Sequence, residues 1–162
     1  GSPMGARAES LAKKYEAKAA ELTATIQKLS DADWKKVTTA EKWPVGVTAH
    51  HVAGGHEPIS GIVKTLAAGQ SISGFSMSML DDMNAKHAKD SAGCTKAETL
   101  ALHEKGVKAA TAVLRGLDDA QLDKSGTVLT GVPPMTCQQA IEGILISHID
   151  DHMGSIRKTV GA

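Results

Sequence analysis

The chain has 162 residues, 41% of them hydrophobic, which is enough for one compact domain with its own core. Lys plus Arg equals Asp plus Glu at 18 each, so the chain lacks the electrostatic footprint of a nucleic-acid or anionic-membrane binder. Its aromatic residues are Tyr15, Trp34, Trp43 and Phe75, too few for base-stacking platforms, and no apolar run approaches the roughly 18 residues of a membrane span.

Cys94 and Cys137 are too few and too far apart for a disulfide framework or a zinc knuckle. A reduced, cytoplasmic protein is the expectation. Gly1-Ser2-Pro3 ahead of Met4 reads as a cloning remnant, leaving 4–162 as a single domain.

In chain order, residues 8–29 predict an amphipathic helix, with Leu11, Tyr15, Leu22, Ile26 and Leu29 recurring at three- and four-residue steps. Ser30 opens a short helical turn through Lys36, and 38–42 is a connector. Trp43-Pro44 opens a second helix to about Ala68, with Pro44 at its first position and Thr48, Val52, Ile59, Ile62, Val63 and Leu66 on its core face. Gly54, Gly55 and Pro58 predict a kink or bulge in its middle. Residues 68–76 form a Gly/Ser-rich loop and a candidate lid.

A third helix follows at about 76–90, with Met77, Leu80, Met83 and His87 on one side. Thr95 and Glu98 make a capping box for a fourth helix, whose seam is Leu100, Val107, Ala110, Leu114 and Leu117. Residues 118–123 are a short helical turn, and 124–135 an irregular loop or short hairpin. Thr136 and Gln139 cap the last helix, which runs to Val160. Four long amphipathic helices with one or two short extra ones, joined by connections short enough for antiparallel neighbours, predict an all-α antiparallel four-helix bundle.

The last helix carries His148 and His152, four residues apart and hence on one face, where two imidazoles can ligate one metal ion. At about 100° per residue its apolar stripe is Ile141, Leu145, Ile149 and Ile156. His152 falls inside that stripe and His148 within the buried arc. Buried imidazoles require hydrogen bonds or a metal, so a third ligand is expected upstream. The second helix offers three. Relative to Ile59, His50 points away and reads as solvated, while His51 and His56 lie to either side of the core direction. Three protein nitrogens around one ion are the arrangement of a catalytic rather than a closed structural site.

The stretch Trp43-Pro-Val-Gly-Val-Thr-Ala-His50-His51 resembles the Trp-to-His motif of the DinB-like metalloenzyme superfamily, which includes mycothiol-dependent maleylpyruvate isomerase and mycothiol and bacillithiol S-transferases. His148 and His152, with Ile156-Arg157 following, resemble its terminal-helix motif. Asp81-Asp82-Met83-Asn84 is similar to its third-helix start, and Leu114–Asp123 to the helix after it. The likeness spans nearly the whole chain, although Val47 and Thr48 replace an acidic-then-apolar pair common there. In the family the ligand is the histidine eight residues after the Trp, which implies His51 here, with His50 and His56 as alternatives.

The expected site is therefore a divalent metal on His51, His148 and His152, zinc first, with nickel or iron also suited to neutral imidazoles. Glu57, Asn84, Asp151 and Arg157 are the catalytic candidates. Asp81 and Asp150 are further carboxylates that could orient a ligand. His87 and His103 read as interior histidines, His87 with some prospect of facing the site. Cys137, at a helix start, could have a lowered thiol pKa but lies far from the metal. The resemblance implies a low-molecular-weight thiol or water activated for S-transfer, isomerisation or hydrolysis, with a small-molecule substrate and a homodimer as candidate partners. The alternative is a non-catalytic metal- or ligand-binding stress-response bundle.

Overall fold

The computed structural model describes residues 5–162, so the cloning-remnant reading of residues 1–3 lies outside the described residues. Four long helices carry the core: α1 (Ala6–Gln27), α3 (Val45–Ala67), α5 (Lys96–Arg115) and the C-terminal α8 (Ser147–Val160). Short helices α2 (Asp31–Lys35), α6 (Asp119–Asp123) and α7 (Cys137–Ala140) sit in the connections, and α4 (Met77–Asp90) lies outside the bundle. The expected caps form. Ser30, Thr95 and Thr136 each accept from the backbone N–H three residues on, which satisfies a helix-end donor that would otherwise be orphaned.

The expected apolar faces are the buried ones. Tyr15, Leu22 and Ile26 of α1, Val52, Val63 and Leu66 of α3, and Ile149 and Ile156 of α8 are fully enclosed. Cross-contacts give the helix directions. Glu9 and Glu16 pair with Arg115 while Lys96 reaches Leu29, so α1 and α5 are antiparallel. Cys137 lies against Val63 and His148 against His51, so α3 runs against the C-terminal segment. Thr25 meets Arg157 and Lys18 meets Asp150, so α1 and α8 run together. Cys94 meets Gly46 and His103 meets His56, so α3 and α5 also run together. Each long helix thus has one antiparallel and one parallel neighbour. Consecutive α3 and α5 are parallel because α4 makes the return between them, a role the expectation of short antiparallel connections did not give it.

The helix α3 continues through Gly54, Gly55 and Pro58 as α-helix, without the bulge that is one of the two expectations there. A π turn lies in the last helix, where Ile141–Ile146 adopts π geometry between α7 and α8. Such turns shift the side-chain register and occur frequently beside functional sites. The α4 prediction also changes. Met77, Met79 and Met83 are about half exposed and α4 has no fully buried residue. Its half-buried positions are Leu80, Asn84, His87 and Ala88. It packs mainly on α3, so one side of it alone is covered.

Residues 124–136 form the short hairpin, with β1 (Ser125–Gly126) antiparallel to β2 (Met135–Thr136). The candidate lid at 68–76 is tied to it. Ile72 N–H donates to Thr127 O at 2.8 Å, and Thr130 N–H to Phe75 O at 2.9 Å. Among the described residues no helix is long and apolar enough to cross a membrane.

Candidate metal centre

The second turn of α3 and the first two turns of α8 face each other, and they bring His51, His148 and His152 together. Each offers one ring nitrogen, and the three lie within 4.8 Å of one another. His51 Nε2 and His148 Nε2 are 3.0 Å apart. A four-coordinate ion about 2.0–2.1 Å from each nitrogen would set them roughly 3.3–3.4 Å apart, so this pair needs to open by only a few tenths of an ångström.

Two further observations fit an ion. The first is Glu41. Its Oε2 accepts from His152 Nδ1 at 2.7 Å and its Oε1 from Ser155 Oγ at 2.6 Å. A carboxylate on Nδ1 fixes the tautomer and leaves the Nε2 lone pair free for a metal. Burial alone would raise the Glu41 carboxyl pKa. Hydrogen bonds from Ser155, His152 and Thr38 outweigh it and hold the group below its usual value, ionised.

The second is Gly55. A Cβ there would sit 2.9 Å from His148 Cε1 and 3.2 Å from Nδ1. The bare glycine lets the His148 ring approach α3 closely, where its Nε2 reaches His51.

Electrostatics also favour ligation. Burial first, then repulsion from the His152 and His87 imidazoles, pushes His51 down to about 4. Burial, then His152 and His51, pushes His148 down to about 3. Both rings are neutral at pH 7, with lone pairs available.

The loop that delivers Glu41 is built locally. Thr38 N–H donates to Trp43 O at 2.8 Å and Val45 N–H to Lys36 O at 2.7 Å, closing a tight turn. Inside it Lys42 takes a left-handed φ of 62°, and Glu41 and Trp43 flank it on the site side. The Trp43 ring is 5.1 Å from that of His51, edge to face. Pro44 precedes α3 as its N-cap rather than occupying its first turn.

The other histidines form two separate groups. His50, expected to be solvated, is half-buried, because the end of α4 covers that face of α3. Its Nδ1 lies 2.8 Å from His87 Nε2, and Ser91 Oγ lies 3.2 and 3.0 Å from the same two atoms.

His56 and His103 are enclosed, each 2% exposed. Tyr15 Oη is 2.6 Å from His56 Nδ1, His56 Nε2 is 2.9 Å from His103 Nδ1, and His103 Nε2 is 2.9 Å from Ala19 O. The Ala19 carbonyl can only accept, which sets every proton in this chain. His103 Nε2–H donates to Ala19, His56 Nε2–H to His103, and the Tyr15 hydroxyl to His56. His56 and His103 thereby satisfy each other in the core and leave no nitrogen for a metal.

Among the remaining candidates, Glu57, Asp81 and Asp150 are exposed, the last paired with Lys18 at 3.0 Å. Asp151 is exposed and lines, with Thr39, Ala40, Ser155 and Lys158, a cavity of about 310 Å³. Arg157 donates to Thr25 Oγ1 at 3.1 Å. Asn84 is half-buried on α4. None of these side chains hydrogen-bonds a triad imidazole; Glu41, which sequence reasoning passed over, does. Both cysteines are free. Cys137 is fully buried and pushed up to about 11, against the lowered pKa its helix-start position suggested. Burial also raises Cys94.

Residues 15–143 match the mycothiol maleylpyruvate isomerase N-terminal domain. No curated protein matches the sequence. Among solved structures, the chain is similar to YfiT from Bacillus subtilis, described as a probable metal-dependent hydrolase with an unusual four-helix bundle topology. The TM-score is 0.76 at 20% identity, over 95% of this chain and 87% of that one. It is also similar to mycothiol-dependent maleylpyruvate isomerase, with a TM-score of 0.72 at 11% identity, and to a histidine-to-alanine mutant of that enzyme, with 0.73 at 9%. Both alignments cover 92% of this chain and 60% of theirs, so the chain spans about three fifths of the isomerase's length. By the match over residues 15–143, the chain belongs to the family of the mycothiol maleylpyruvate isomerase N-terminal domain, within the DinB-like superfamily.

Proposed function

We propose that His51, His148 and His152 hold one divalent metal ion, with zinc the first expectation and nickel or iron suited to the same nitrogens, and that the protein is a metal-dependent enzyme acting on a small molecule. The observation that carries this is the convergence of three imidazoles, those of His51 and His148 held neutral by burial, with a carboxylate behind the third. Bound there, the ion would lower the pKa of a thiol or water at neutral pH. The reaction class is thiol transfer, thiol-assisted isomerisation or hydrolysis.

The chain's own residues divide the remaining work. Glu41 accepts from His152 Nδ1 and orients the ring, so that Nε2 is the nitrogen left for the metal. Trp43 packs on the His51 edge and limits water around it. Gly55 makes room for His148. The potential ligand group has three members, and Glu41 is already engaged with His152 Nδ1. A three-nitrogen set supports an exchangeable position, as turnover requires, over sequestration by a fully protein-coordinated ion.

The test is metal content per chain by elemental mass spectrometry on the wild type, His51→Ala and His148→Ala, with helicity checked by circular dichroism. Near one ion in the wild type, lost in both folded variants, supports the reading. No ion in the wild type after reconstitution with zinc, nickel or iron overturns it.

A further inference from the structure

Beside the triad stands a fourth imidazole whose chemistry is incomplete. His87, on the last turn of α4, has its ring centre 5.4 Å from that of His51. Its Nε2 is engaged by His50 Nδ1 and Ser91 Oγ. The ring stacks on His50 at 5.0 Å with 23° between planes. Its orientation is therefore fixed from two sides. Its Nδ1 is shielded from water and has no hydrogen-bond partner among the described residues. Buried polar atoms are almost always paired, because leaving one bare forfeits its hydration with nothing in return. His56 and His103, which are fully enclosed, have every nitrogen satisfied.

We infer that His87 Nδ1 is a binding contact for the molecule that the metal centre acts on, taking a hydrogen bond to a polar group, such as an amide, carried close to the metal-bound atom. This rests on the metal reading above and extends it to what the substrate must carry. The placement supports it. His87 reaches the triad from α4, a helix outside the bundle with no fully buried side chain. A ligand reaching the metal alongside α4 meets the His87 ring beside that of His51. The anchor on Ser91 and His50 holds the ring ready in advance, which lowers the ordering cost of binding.

The experiment uses Co(II)-loaded full-length protein, whose visible bands report thiolate coordination, and two probes of similar size, 3-mercaptopropanamide and propanethiol. The amide offers both a donor and an acceptor, so either His87 tautomer can engage it. The variants are His87→Gln and His87→Asn. The Gln amide reaches the Nε2 position and keeps the anchor, while losing the polar atom at Nδ1. The Asn amide keeps a polar atom near Nδ1 and loses the anchor.

The expected result is one Co(II) per chain in all three proteins. The wild type should bind the amide thiol about tenfold more tightly than propanethiol, the size of one hydrogen bond to a buried group. That preference should vanish in His87→Gln and survive at least in part in His87→Asn. Equal binding of the two thiols by the wild type overturns the inference, as does a preference unchanged in His87→Gln. In both cases an intact Co(II) spectrum leaves the metal centre standing. Failure of the wild type to take up Co(II) removes the metal centre and this contact together.

Discussion

The carboxylate of Glu41 and the imidazole of His152, 111 residues apart in the chain, meet at 2.7 Å in a nearly closed environment, with Glu41 only 9% exposed. The relationship is directional. Ser155 donates to the other oxygen, so the carboxylate cannot rotate away. Carboxylates placed behind metal-binding histidines typically contribute 10–100-fold in metal affinity. Glu41→Ala should weaken metal binding by roughly that factor, read by competition with a chromophoric chelator. Glu41→Gln, which keeps an acceptor but not the charge, should fall between. Unchanged affinity in Glu41→Ala would mean the pair is structural.

Gly55→Ala separates site from fold. Alanine in a helix interior is worth up to about 1 kcal/mol over glycine. The added Cβ would meet the His148 ring at 2.9 Å, so the ring, at the end of its side chain, must move. The variant should melt no lower than the wild type in the metal-free state, yet bind metal more weakly. Lower thermal stability with unchanged metal affinity would refute the cradle.

The Tyr15–His56–His103 chain is a core element, and its removal should cost stability without touching the triad. Tyr15→Phe deletes the only donor to His56 Nδ1 among the described residues, where neither ring is accessible to water. An unpaired buried acceptor costs about 1–3 kcal/mol, measurable by urea denaturation, while metal stoichiometry stays at the wild-type value. Gly106, whose Cβ would lie 2.9 Å from His56 Cβ and 3.2 Å from Ala53 O, marks where α5 presses on this chain. Gly106→Ala should therefore be destabilising despite its better helix propensity. Its outcome opposite to that of Gly55→Ala follows from backbone rather than a ring tip standing in the way.

Periodicity placed the helices and the His148–His152 pair because both are local facts, whereas His51 is singled out from His56 by the family resemblance. Leu11, Tyr15, Leu22 and Ile26 repeat on one face of α1, and His148 and His152 repeat on one face of α8. What periodicity could not place is whatever tertiary contact decides. Glu41 lies in a connector without a repeat, and its burial comes from the turn between Lys36 and Val45 docking on α8. His50 read as solvated because it points away from Ile59, but α3 is covered on that side by α4. Met77 and Met83 form an apolar side on paper that no neighbour covers. The π turn at Ile141–Ile146 leaves no mark in a stripe computed at a constant angle, since Ile141, Leu145 and Ile149 are all buried either way.

Acid should loosen the metal-free protein at a pH set by its imidazoles. In the fold His51 is lowered to about 4, and His56 and His148 to about 3, from an ordinary value of 6.5, with burial the first cause in each. As pH falls below 6.5 the unfolded chain takes up protons at these three sites while the folded chain does not. Stability therefore rises with pH across the window from about 4 to 6.5 and levels off above it. Each group contributes at most about 1.4 kcal/mol per pH unit within its window. Urea midpoints of the metal-free protein should hold steady from pH 9 to 7.5 and drop from pH 6.5 to 4. His148→Ala should show a shallower drop, because one of the three groups is gone. A midpoint that rises on acidification, or a slope untouched by that substitution, would mean these imidazoles are protonated in the fold and so not poised to receive a metal.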